Sequence, residues 1–180
     1  INASGELKTK PTQHSVKELR SLGISPDVLI CRSDQELPKD EKNKIALFCS
    51  VPNDSVISMH DVETVYSVPL LLHSQMVDKT ILKKLKISTK KAQLNDWRRV
   101  VKAKLLPEKE ITVSFVGKYT ELKDSYKSIN EALEHAGIKN KARVNIDFVE
   151  AENLTPKNIR KTLKNSDAIL VPGGFGERGI

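Results

Sequence analysis

The sequence predicts an α/β fold in which short strands alternate with helices, arranged as two successive units. The first observation is a compact apolar run at residues 27–31, followed by a helical pattern at 39–50 and a further strand pattern at 56–59. The second is a series of strand, helix, strand, helix and strand within residues 111–171. Such alternation is typical of a mostly parallel sheet covered by helices.

Helical patterns complete the first unit. Apolar residues recur at helical spacing over residues 14–22, predicting a short helix that a polar loop precedes. Residues 61–87 are also helical by pattern, and we expect Pro69 to interrupt them. These elements close the first predicted domain, residues 1–87.

A polar stretch separates this domain from the next. It lacks periodicity until a helix around Trp97, so we assign residues 88–109 to an interdomain linker that contains a helix. The second predicted domain, residues 110–180, begins with a strand. Its predicted strands are 111–117, 144–149 and a buried 168–171, and its predicted helices are 125–135, ending at Gly137, and 156–163.

The charge balance favours anionic partners. The 180 residues include 30 Lys+Arg against 23 Asp+Glu, a net charge of +7, which suits nucleotide phosphates, nucleic acid or a membrane surface. Aromatic residues make up only 4% and do not interleave with basic runs, so we expect no nucleic-acid partner. With no apolar run near 18 residues and no charged-then-apolar leader, we expect no membrane association and a cytoplasmic location.

The cysteines and histidines indicate neither a disulfide framework nor a metal site. Cys31 and Cys49 each lie in an apolar run, which predicts buried thiols in a reducing compartment. The histidines lack the spacing of a zinc site, and we assign no metal ligand. Because the chain begins at Ile1 without Met and stops after a glycine-rich turn, we expect it to be part of a longer polypeptide.

A polar loop before the first predicted helix is the strongest candidate site. Two lysines, two hydroxyls and an amide lie within six residues there, namely Lys8, Thr9, Lys10, Thr12 and Gln13. The lysines supply point charges, and the hydroxyls and backbone N–H groups supply oriented donors for an anionic ligand. The alternative is an exposed loop in which Thr12 caps the helix, and the spacing alone does not decide.

Three further features are weaker when taken alone. Arg32 follows a predicted strand at its carboxyl end, where α/β sheets present ligand groups. Lys44 lies on a predicted helix near Lys42, a pattern more typical of a solvated surface. The glycine-rich turn at 172–176 follows a predicted strand and could point backbone N–H groups into a cleft.

In order and spacing, the chain resembles the CTP synthases, from the end of their synthase domain into their class I glutamine amidotransferase domain. The resemblance covers nearly the whole chain. It is carried by Lys-Thr-Lys-Pro-Thr-Gln-His-Ser-Val within residues 5–19, Pro26-Asp27, Cys31-Arg32, Lys44-Ile45, His60-Asp61-Val62 with Tyr66, Pro69-Leu70-Leu71-Leu72, Val116-Gly117-Lys118-Tyr119, Asp124-Ser125-Tyr126 and Leu170-Val171-Pro172-Gly173-Gly174-Phe175-Gly176.

This resemblance implies a fold and a reaction. The fold would be a partial parallel-sheet synthase domain of P-loop type, then a linker and a partial doubly wound α/β amidotransferase domain. The enzyme would be a ligase that forms a carbon–nitrogen bond: ATP activates O4 of UTP, and ammonia from glutamine displaces the phosphate at C4 to give CTP. The resemblance also implies Mg²⁺ with ATP, activation by GTP, feedback inhibition by CTP and a homotetramer.

The resemblance also implies roles for individual residues. UTP, or CTP as inhibitor, would contact Lys8, Thr9, Lys10, Pro11, Thr12, Gln13 and Lys44. ATP would contact Arg32, His60, Asp61 and Val62, although His60 could instead be a solvated residue at a helix start and Asp61 an N-cap. Gly173 and Gly174 would contribute to the oxyanion hole and the glutamine pocket.

No catalytic residue is expected within these residues. In the family the nucleophilic cysteine and its His and Glu partners lie downstream of the glycine turn, while the ATP phosphate loop and magnesium carboxylates lie upstream. We therefore expect the chain alone to be inactive. Two other hypotheses stay open: a different two-domain amidotransferase, against which the Lys-Thr-Lys-Pro-Thr-Gln loop argues, and a non-catalytic nucleotide-sensing module.

Overall fold

A computed structural model describes residues 2–3, 6–118 and 123–173. The chain divides into two compact units, Ile1–Asn95 and Asp96–Ile180. Both contain helices and parallel strands, which confirms the predicted α/β class. The predicted domain bounds and linker stay predictions. None of the described helices is long and apolar enough to cross a membrane.

Among its described residues, the first unit combines a short antiparallel strand pair, a parallel strand pair and four α-helices. Strands β1 and β2 pair antiparallel, and β3 and β4 pair parallel. The strands are β1 (Asn2–Ala3), β2 (Glu6–Leu7), β3 (Leu29–Ser33) and β4 (Val56–His60), and the helices are α1 (Lys10–Ser21), α2 (Lys39–Cys49), α3 (Val68–Ser74) and α4 (Val77–Leu85).

The core of this unit forms where α2 packs on the parallel strands. Ile45 of α2 and Val56 and Ile57 of β4 are fully buried. Val16 brings α1 onto the same core. The apolar pattern also predicts that Phe48 faces inward with Ile45, and this is wrong, because Phe48 is 61% exposed. Helix α2 instead buries the face that carries Ile45, Ala46 and Cys49.

Helix α1 begins earlier than its apolar pattern predicts. It starts at Lys10, so the second half of the predicted loop forms the first helical turn. Pro11 lies in that turn, where its missing N–H breaks no helical hydrogen bond and its fixed φ suits the helix. Thr9 occupies the N-cap position, so the alternative in which Thr12 caps the helix is wrong.

The helical region after β4 is interrupted at a different place from the one predicted. Pro69 does not break a helix but lies in the first turn of α3, where proline is tolerated. The break comes at Met76, whose φ of 58° and ψ of 28° are left-handed. This conformation is disfavoured for residues with a Cβ, so the turn between α3 and α4 stores strain.

Gln75 fixes this turn to the sheet. Its side-chain Oε1 accepts a hydrogen bond from the Ser58 backbone N–H at 2.9 Å, and its Nε2 donates to the Ser58 carbonyl at 2.7 Å. The amide thus occupies the free edge of β4 much as a neighbouring strand would. Both Ser58 backbone groups are thereby satisfied, as buried polar groups require.

Replacing Met76 with glycine should stabilise the first unit. Relief of left-handed strain worth roughly 1–2 kcal/mol outweighs the added backbone entropy of glycine, roughly 0.5–1 kcal/mol. We expect the urea midpoint of Met76→Gly to rise with an unchanged m-value. The matched control Lys79→Gly, inside α4, should lower the midpoint. A midpoint of Met76→Gly below that of the parent chain would contradict the strain argument.

The second unit is a three-stranded parallel sheet with helical connections, in the order β6-β5-β7. This order places a strand on each side of the first one, as in a doubly wound sheet. The strands are β5 (Lys109–Gly117), β6 (Ala142–Glu150) and β7 (Ala168–Leu170), and the helices are α5 (Asn95–Leu105), α6 (Lys127–Lys139) and α7 (Ile159–Thr162).

An aromatic cluster centres on β5. The ring of Phe115 is fully buried, and its centroid lies 4.6 Å from that of Tyr126 and 5.3 Å from that of Phe148. The prediction of a buried strand at 168–171 is wrong in its burial, since Ile169 is 55% exposed. Among the described strands, β7 has only β5 as a neighbour. Helix α7 is also shorter than the predicted 156–163.

Helix α6 does not end at Gly137, as the sequence pattern predicts, but continues to Lys139. Gly137 is buried against the start of β6. A Cβ added there would lie 2.6 Å from the Ala142 backbone oxygen and 2.9 Å from Val144 Cγ2. The glycine therefore permits the close approach of helix and strand.

We expect Gly137→Ala to destabilise the second unit, although alanine is the better helix former. The added methyl overlaps a backbone oxygen, which cannot move without shifting β6, and such overpacking costs about 1–3 kcal/mol. Thermal unfolding of the two proteins would measure the difference. Lys139→Ala, an exposed change in the same helix, is the control and should leave Tm nearly unchanged. An unchanged Tm in Gly137→Ala would refute the close approach.

Candidate functional site

A cleft of about 1170 Å³ lies in the first unit, bounded by the segment after β2, by α1 and by α2. Ligand pockets commonly measure roughly 300–1,000 Å³, so a nucleotide has ample room. Six of the seven residues predicted for the pyrimidine nucleotide line this cleft, and Thr12 does not. The six are Lys8, Thr9, Lys10, Pro11, Gln13 and Lys44.

The start of α1 orients donors toward this cleft. Thr9 is buried, with 5% of its surface exposed, and its Oγ1 accepts a hydrogen bond from Gln13 Nε2 at 3.1 Å. This bond fixes the Gln13 amide one turn into the helix. The first turn contains no acidic residue, and the positive end of a helix dipole favours anions.

The charge of the cleft is uniformly positive. Five Lys and Arg side chains line it, and no Asp or Glu is found among its described lining residues. The five are Lys8, Lys10, Lys17, Arg20 and Lys44. Because each is exposed to solvent, any single pair with an anion is weak, but converging cations together produce a strong local potential.

Sequence reasoning missed six lining residues of the cleft, of which four carry a charge, a ring or both: Leu7, Val16, His14, Lys17, Arg20 and Phe48. Lys10, Lys17 and their neighbours recur at helical spacing along one face of α1, but this stripe is visible only once the helix begins at Lys10. Arg20 is positioned by a hydrogen bond from its Nη1 to Ser50 Oγ at 3.1 Å. Phe48 follows Lys44 by one turn of α2 and exposes a flat apolar surface beside the cations.

A second group of predicted residues meets at the carboxyl ends of β3 and β4. Arg32 Nη2 lies 3.7 Å from Asp61 Oδ1, and the Asp61 N–H donates to the Ser33 carbonyl at 3.0 Å. His60 is the last residue of β4, so its interpretation as a residue at a helix start is wrong. No helix begins directly after Asp61, so its interpretation as an N-cap is also wrong. Val62 follows and is half-buried.

His60 leaves one polar atom unsatisfied. Its Nδ1 is buried without a hydrogen-bond partner among the described residues. Such atoms are uncommon in folded proteins and need an explanation, of which a ligand is one. The structure thus brings Arg32, His60 and Asp61 together at one sheet edge, and their assignment to ATP stays a prediction.

The glycine turn is only partly described. Gly173 follows β7 closely, and a Cβ added to it would meet no atom within 4 Å. Gly174 lies outside the described residues. The predicted contribution of both glycines to a glutamine pocket stays a prediction.

The described residues do not form a metal centre. No group of three or more His, Cys, Asp or Glu side chains in this part of the chain is arranged to hold a metal ion. Mg²⁺, which the resemblance implies, stays a prediction.

The fold defines a protein of two α/β units, and the first unit contains a cleft lined by five cationic side chains. Residues 1–87 match the family model of the CTP synthase N-terminus, and residues 121–180 match that of the class-I glutamine amidotransferase. Together, in this order, the two matches place the chain in the CTP synthase family. The function of this family is glutamine-dependent CTP synthesis in pyrimidine biosynthesis, carried out by a glutamine-hydrolysing ligase.

The two cysteines are buried, as their apolar sequence context predicts. Burial raises the pKa of the Cys31 thiol, and the nearby Cys49 thiol raises it further. Burial likewise raises the pKa of Cys49, although Arg20 opposes that shift. A raised pKa lowers the fraction of thiolate, which is the nucleophilic form, so neither cysteine is suited to nucleophilic catalysis.

Both thiols should therefore react slowly with iodoacetamide in the folded chain at pH 8. Each unit by which the pKa is raised lowers the thiolate fraction about tenfold, and burial also blocks the access of iodoacetamide to the sulfur. Mass spectrometry over time would follow the alkylation, with the urea-denatured chain as control. Because the pKa of each thiol is higher in the folded chain than in the unfolded chain, the neutral thiols favour folding at a pH below the unfolded-state pKa. This contribution to the free energy of unfolding is lost as the pH rises through the folded-state pKa. Alkylation as fast as in urea would contradict the burial.

Proposed function

We propose that this chain supplies the pyrimidine-nucleotide site, and part of the ATP site, of an enzyme that converts UTP to CTP with ATP and glutamine-derived ammonia. The observation that carries the proposal is the cationic cleft. It gathers residues from the segment after β2 and from α1, which follow one another in the sequence, and from α2, which lies further along the chain. The two family matches support the same reaction.

The cleft suits a nucleoside triphosphate. A triphosphate chain is flexible and strongly anionic, and lysine ammonium groups adapt to it as point charges. Lys8, Lys10 and Lys44 provide these charges from two sides of the cleft. The Gln13 amide, held by Thr9, can both donate to and accept from a uracil or ribose edge.

The same arrangement explains how the product, CTP, could inhibit the enzyme. UTP and CTP share the ribose and the triphosphate, so the same cations would bind both, and CTP would compete with UTP. Lys8 and Lys10 could also stabilise the charge that develops when a phosphoryl group is transferred to O4 of UTP.

ATP would bind at the carboxyl ends of β3 and β4, where open α/β sheets usually hold ligands. Arg32 would pair with phosphate or adenine, exchanging its exposed ion pair with Asp61. The unsatisfied Nδ1 of His60 could accept from or donate to the nucleotide. Val62 could pack against the adenine ring.

The second unit would belong to the glutaminase half of the enzyme. Backbone N–H groups at Gly173 and Gly174 would stabilise the oxyanion formed during glutamine hydrolysis. The two cysteines of the sequence are buried in the first unit, so the nucleophile would come from the parent polypeptide beyond this region. The chain alone would be inactive. The parent would act in the cytoplasm as a homotetramer with Mg²⁺-ATP and with GTP as activator.

Lys44→Ala in the parent enzyme should impair CTP formation from ammonium and from glutamine alike. Both nitrogen sources use the same UTP site, and losing one solvent-exposed cation that contacts phosphate costs about 1 kcal/mol, which lowers kcat/KM for UTP by roughly fivefold. The measurement is CTP production from UTP and ATP, once with ammonium and once with glutamine plus GTP.

Lys39→Ala is the matched control, because Lys39 lies on the same helix and outside the cleft lining. It should keep full activity. A normal kcat/KM for UTP in Lys44→Ala would refute the assignment of the cleft. Absence of CTP from the parent protein under both conditions would instead favour a nucleotide-sensing module.

A further inference from the structure

Two of the five cations that line the cleft, Lys17 and Arg20, belong to the second half of α1. The nucleotide contacts proposed above use neither of them. Arg20 lies in the last turn of α1, and its Nη1 donates a hydrogen bond to Ser50 Oγ at 3.1 Å. Because Ser50 caps the carboxyl end of α2, this bond holds the guanidinium between the two helices that bound the cleft.

The positive charge of Arg20 is not neutralised by the side chain that holds it. A serine hydroxyl is a neutral acceptor, and the bond uses one of the five N–H donors of the guanidinium. Glu18 is the acidic residue of α1, but it lies 4.0 Å from His14 and is not among the described lining residues of the cleft. Within the described part of the chain, neither Lys17 nor Arg20 forms a salt bridge with a carboxylate. Both cations are therefore available to an external anion.

The distance along α1 separates these two cations from the lysine at its start. Lys10 and Arg20 belong to the same helix, and a rise of about 1.5 Å per residue places them roughly 15 Å apart along its axis. Helical side chains lean towards the amino end, so the charged groups keep a similar separation. The three phosphorus atoms of a triphosphate follow one another through single bridging oxygens, which concentrates its charge over a shorter length. Lys17 and Arg20, by contrast, are neighbours on the helix surface.

We propose that Lys17 and Arg20 form a second anion subsite in the cleft, which binds a phosphate group separate from the triphosphate of the nucleotide. This assignment rests on the proposed function, because the first anion is the nucleotide that Lys8, Lys10 and Lys44 would bind. The cleft volume of about 1170 Å³ exceeds the roughly 300–1,000 Å³ of most ligand pockets, so a second small anion has room.

A phosphate group suits this pair of side chains. The planar guanidinium of Arg20 can donate two parallel N–H groups to two oxygens of one phosphate, and Lys17 adds a point charge beside it. The bond to Ser50 already restricts the guanidinium, so less side-chain freedom is lost when the anion binds. The phosphate group belongs either to free inorganic phosphate or to a second nucleotide, and the experiment below distinguishes these two sources.

Both anions can bind at once at ordinary ionic strength. Their separation of roughly 15 Å along α1 exceeds the screening length of about 10 Å at 0.1 M salt, so their mutual repulsion is largely screened. At about 0.01 M salt the screening length grows to about 30 Å, and each anion should then weaken the binding of the other by the same factor. The affinity for UTP would therefore depend on phosphate mainly at low ionic strength.

The test measures how fast phenylglyoxal modifies individual arginines of the folded parent enzyme, and mass spectrometry locates each adduct. UTP is present at saturation and ATP is absent, while inorganic phosphate is varied and sodium chloride keeps the ionic strength at about 0.1 M. By mass action, phosphate at about four times its Kd should slow the modification of Arg20 roughly fivefold. Arg99 is the matched control, because its Nη1 also makes one hydrogen bond, to Asp96 at 2.8 Å, and it lies outside the cleft lining. Its rate should not change.

A lysine variant connects this effect to the subsite. Lys17→Gln should raise the Kd of phosphate, measured at Arg20, by about fivefold, the upper scale for losing one exposed ion pair. Lys39→Gln, on α2 and outside the cleft lining, should leave that Kd unchanged. A parallel series with AMP identifies the source of the phosphate group. A lower Kd for AMP than for inorganic phosphate would indicate a second nucleotide, and an equal or higher one would indicate free phosphate.

Any of four results would overturn the proposal. Phosphate could leave the rate at Arg20 unchanged, which means that no anion binds there, or slow it only when UTP is absent, which means that one site is shared. Equal slowing at Arg20 and Arg99 would indicate a general ionic effect. An unchanged Kd in Lys17→Gln would remove the second cation from the subsite.

The nucleotide site is checked separately in the same enzyme. UTP should slow the acetylation of Lys8, Lys10 and Lys44 by an N-hydroxysuccinimide ester, because bound phosphates cover their ammonium groups. If UTP leaves all three rates unchanged, the nucleotide assignment fails. The effect of inorganic phosphate on Arg20 is still measurable in that case, so the two failures can be distinguished.

Discussion

The parallel pairing of β3 with β4 is the constraint on which the first unit depends. Its register sets Leu29 opposite Val56 and Ser33 opposite His60, so both strands end at one edge. Burial of Val56 beneath Ile45 fixes α2 on the sheet, and α2 in turn presents its exposed face to the cleft. A slip of one residue in this register would turn the apolar side chains outward. It would disrupt both candidate sites, the cationic cleft and the group at the carboxyl ends of β3 and β4.

Side chains complete sheet edges in both units. In the first unit the Gln75 amide makes two hydrogen bonds to Ser58. In the second, Asp167 Oδ2 accepts from the Thr112 N–H at 2.7 Å, while the Asp167 N–H donates to the Thr112 carbonyl at 2.8 Å. Each device satisfies backbone groups on the side of a strand where no other strand pairs at that residue. In each unit, therefore, a single residue occupies an unpaired stretch of a strand and connects that strand to the adjoining helix or loop.

Local patterns predicted the parallel strands β3 to β7, because apolar runs bounded by polar residues have few other solutions, but they did not predict the short strands β1 and β2. Strand β4 was predicted within one residue at its end, and α5 ends at Leu105, where Pro107 follows closely. The predictions that failed depend on contacts between residues that lie far apart in the sequence. The local pattern predicts a helix end at Gly137, whereas the glycine is needed for the close approach of α6 to β6. Phe48 matched an apolar stripe, but α2 buries Ile45, Ala46 and Cys49 and leaves Phe48 exposed. The cleft itself could be anticipated only through the family resemblance, because α2 brings Lys44 to α1 from far along the chain.

The absence of carboxylates among the described residues of the cleft has a consequence for its resting state. Without internal counter-charges, the lysines and Arg20 must hold mobile anions from the solvent, much as an ion-exchange resin does. An arriving nucleotide would displace these anions, and their release would contribute a favourable entropy to binding. Occupancy of the cleft would then depend on the ionic composition of its surroundings, since the screening length shortens from about 10 Å at 0.1 M salt to about 3 Å at 1 M. The fraction of clefts that hold a nucleotide would then depend on the nucleotide concentration relative to that of every other small anion present.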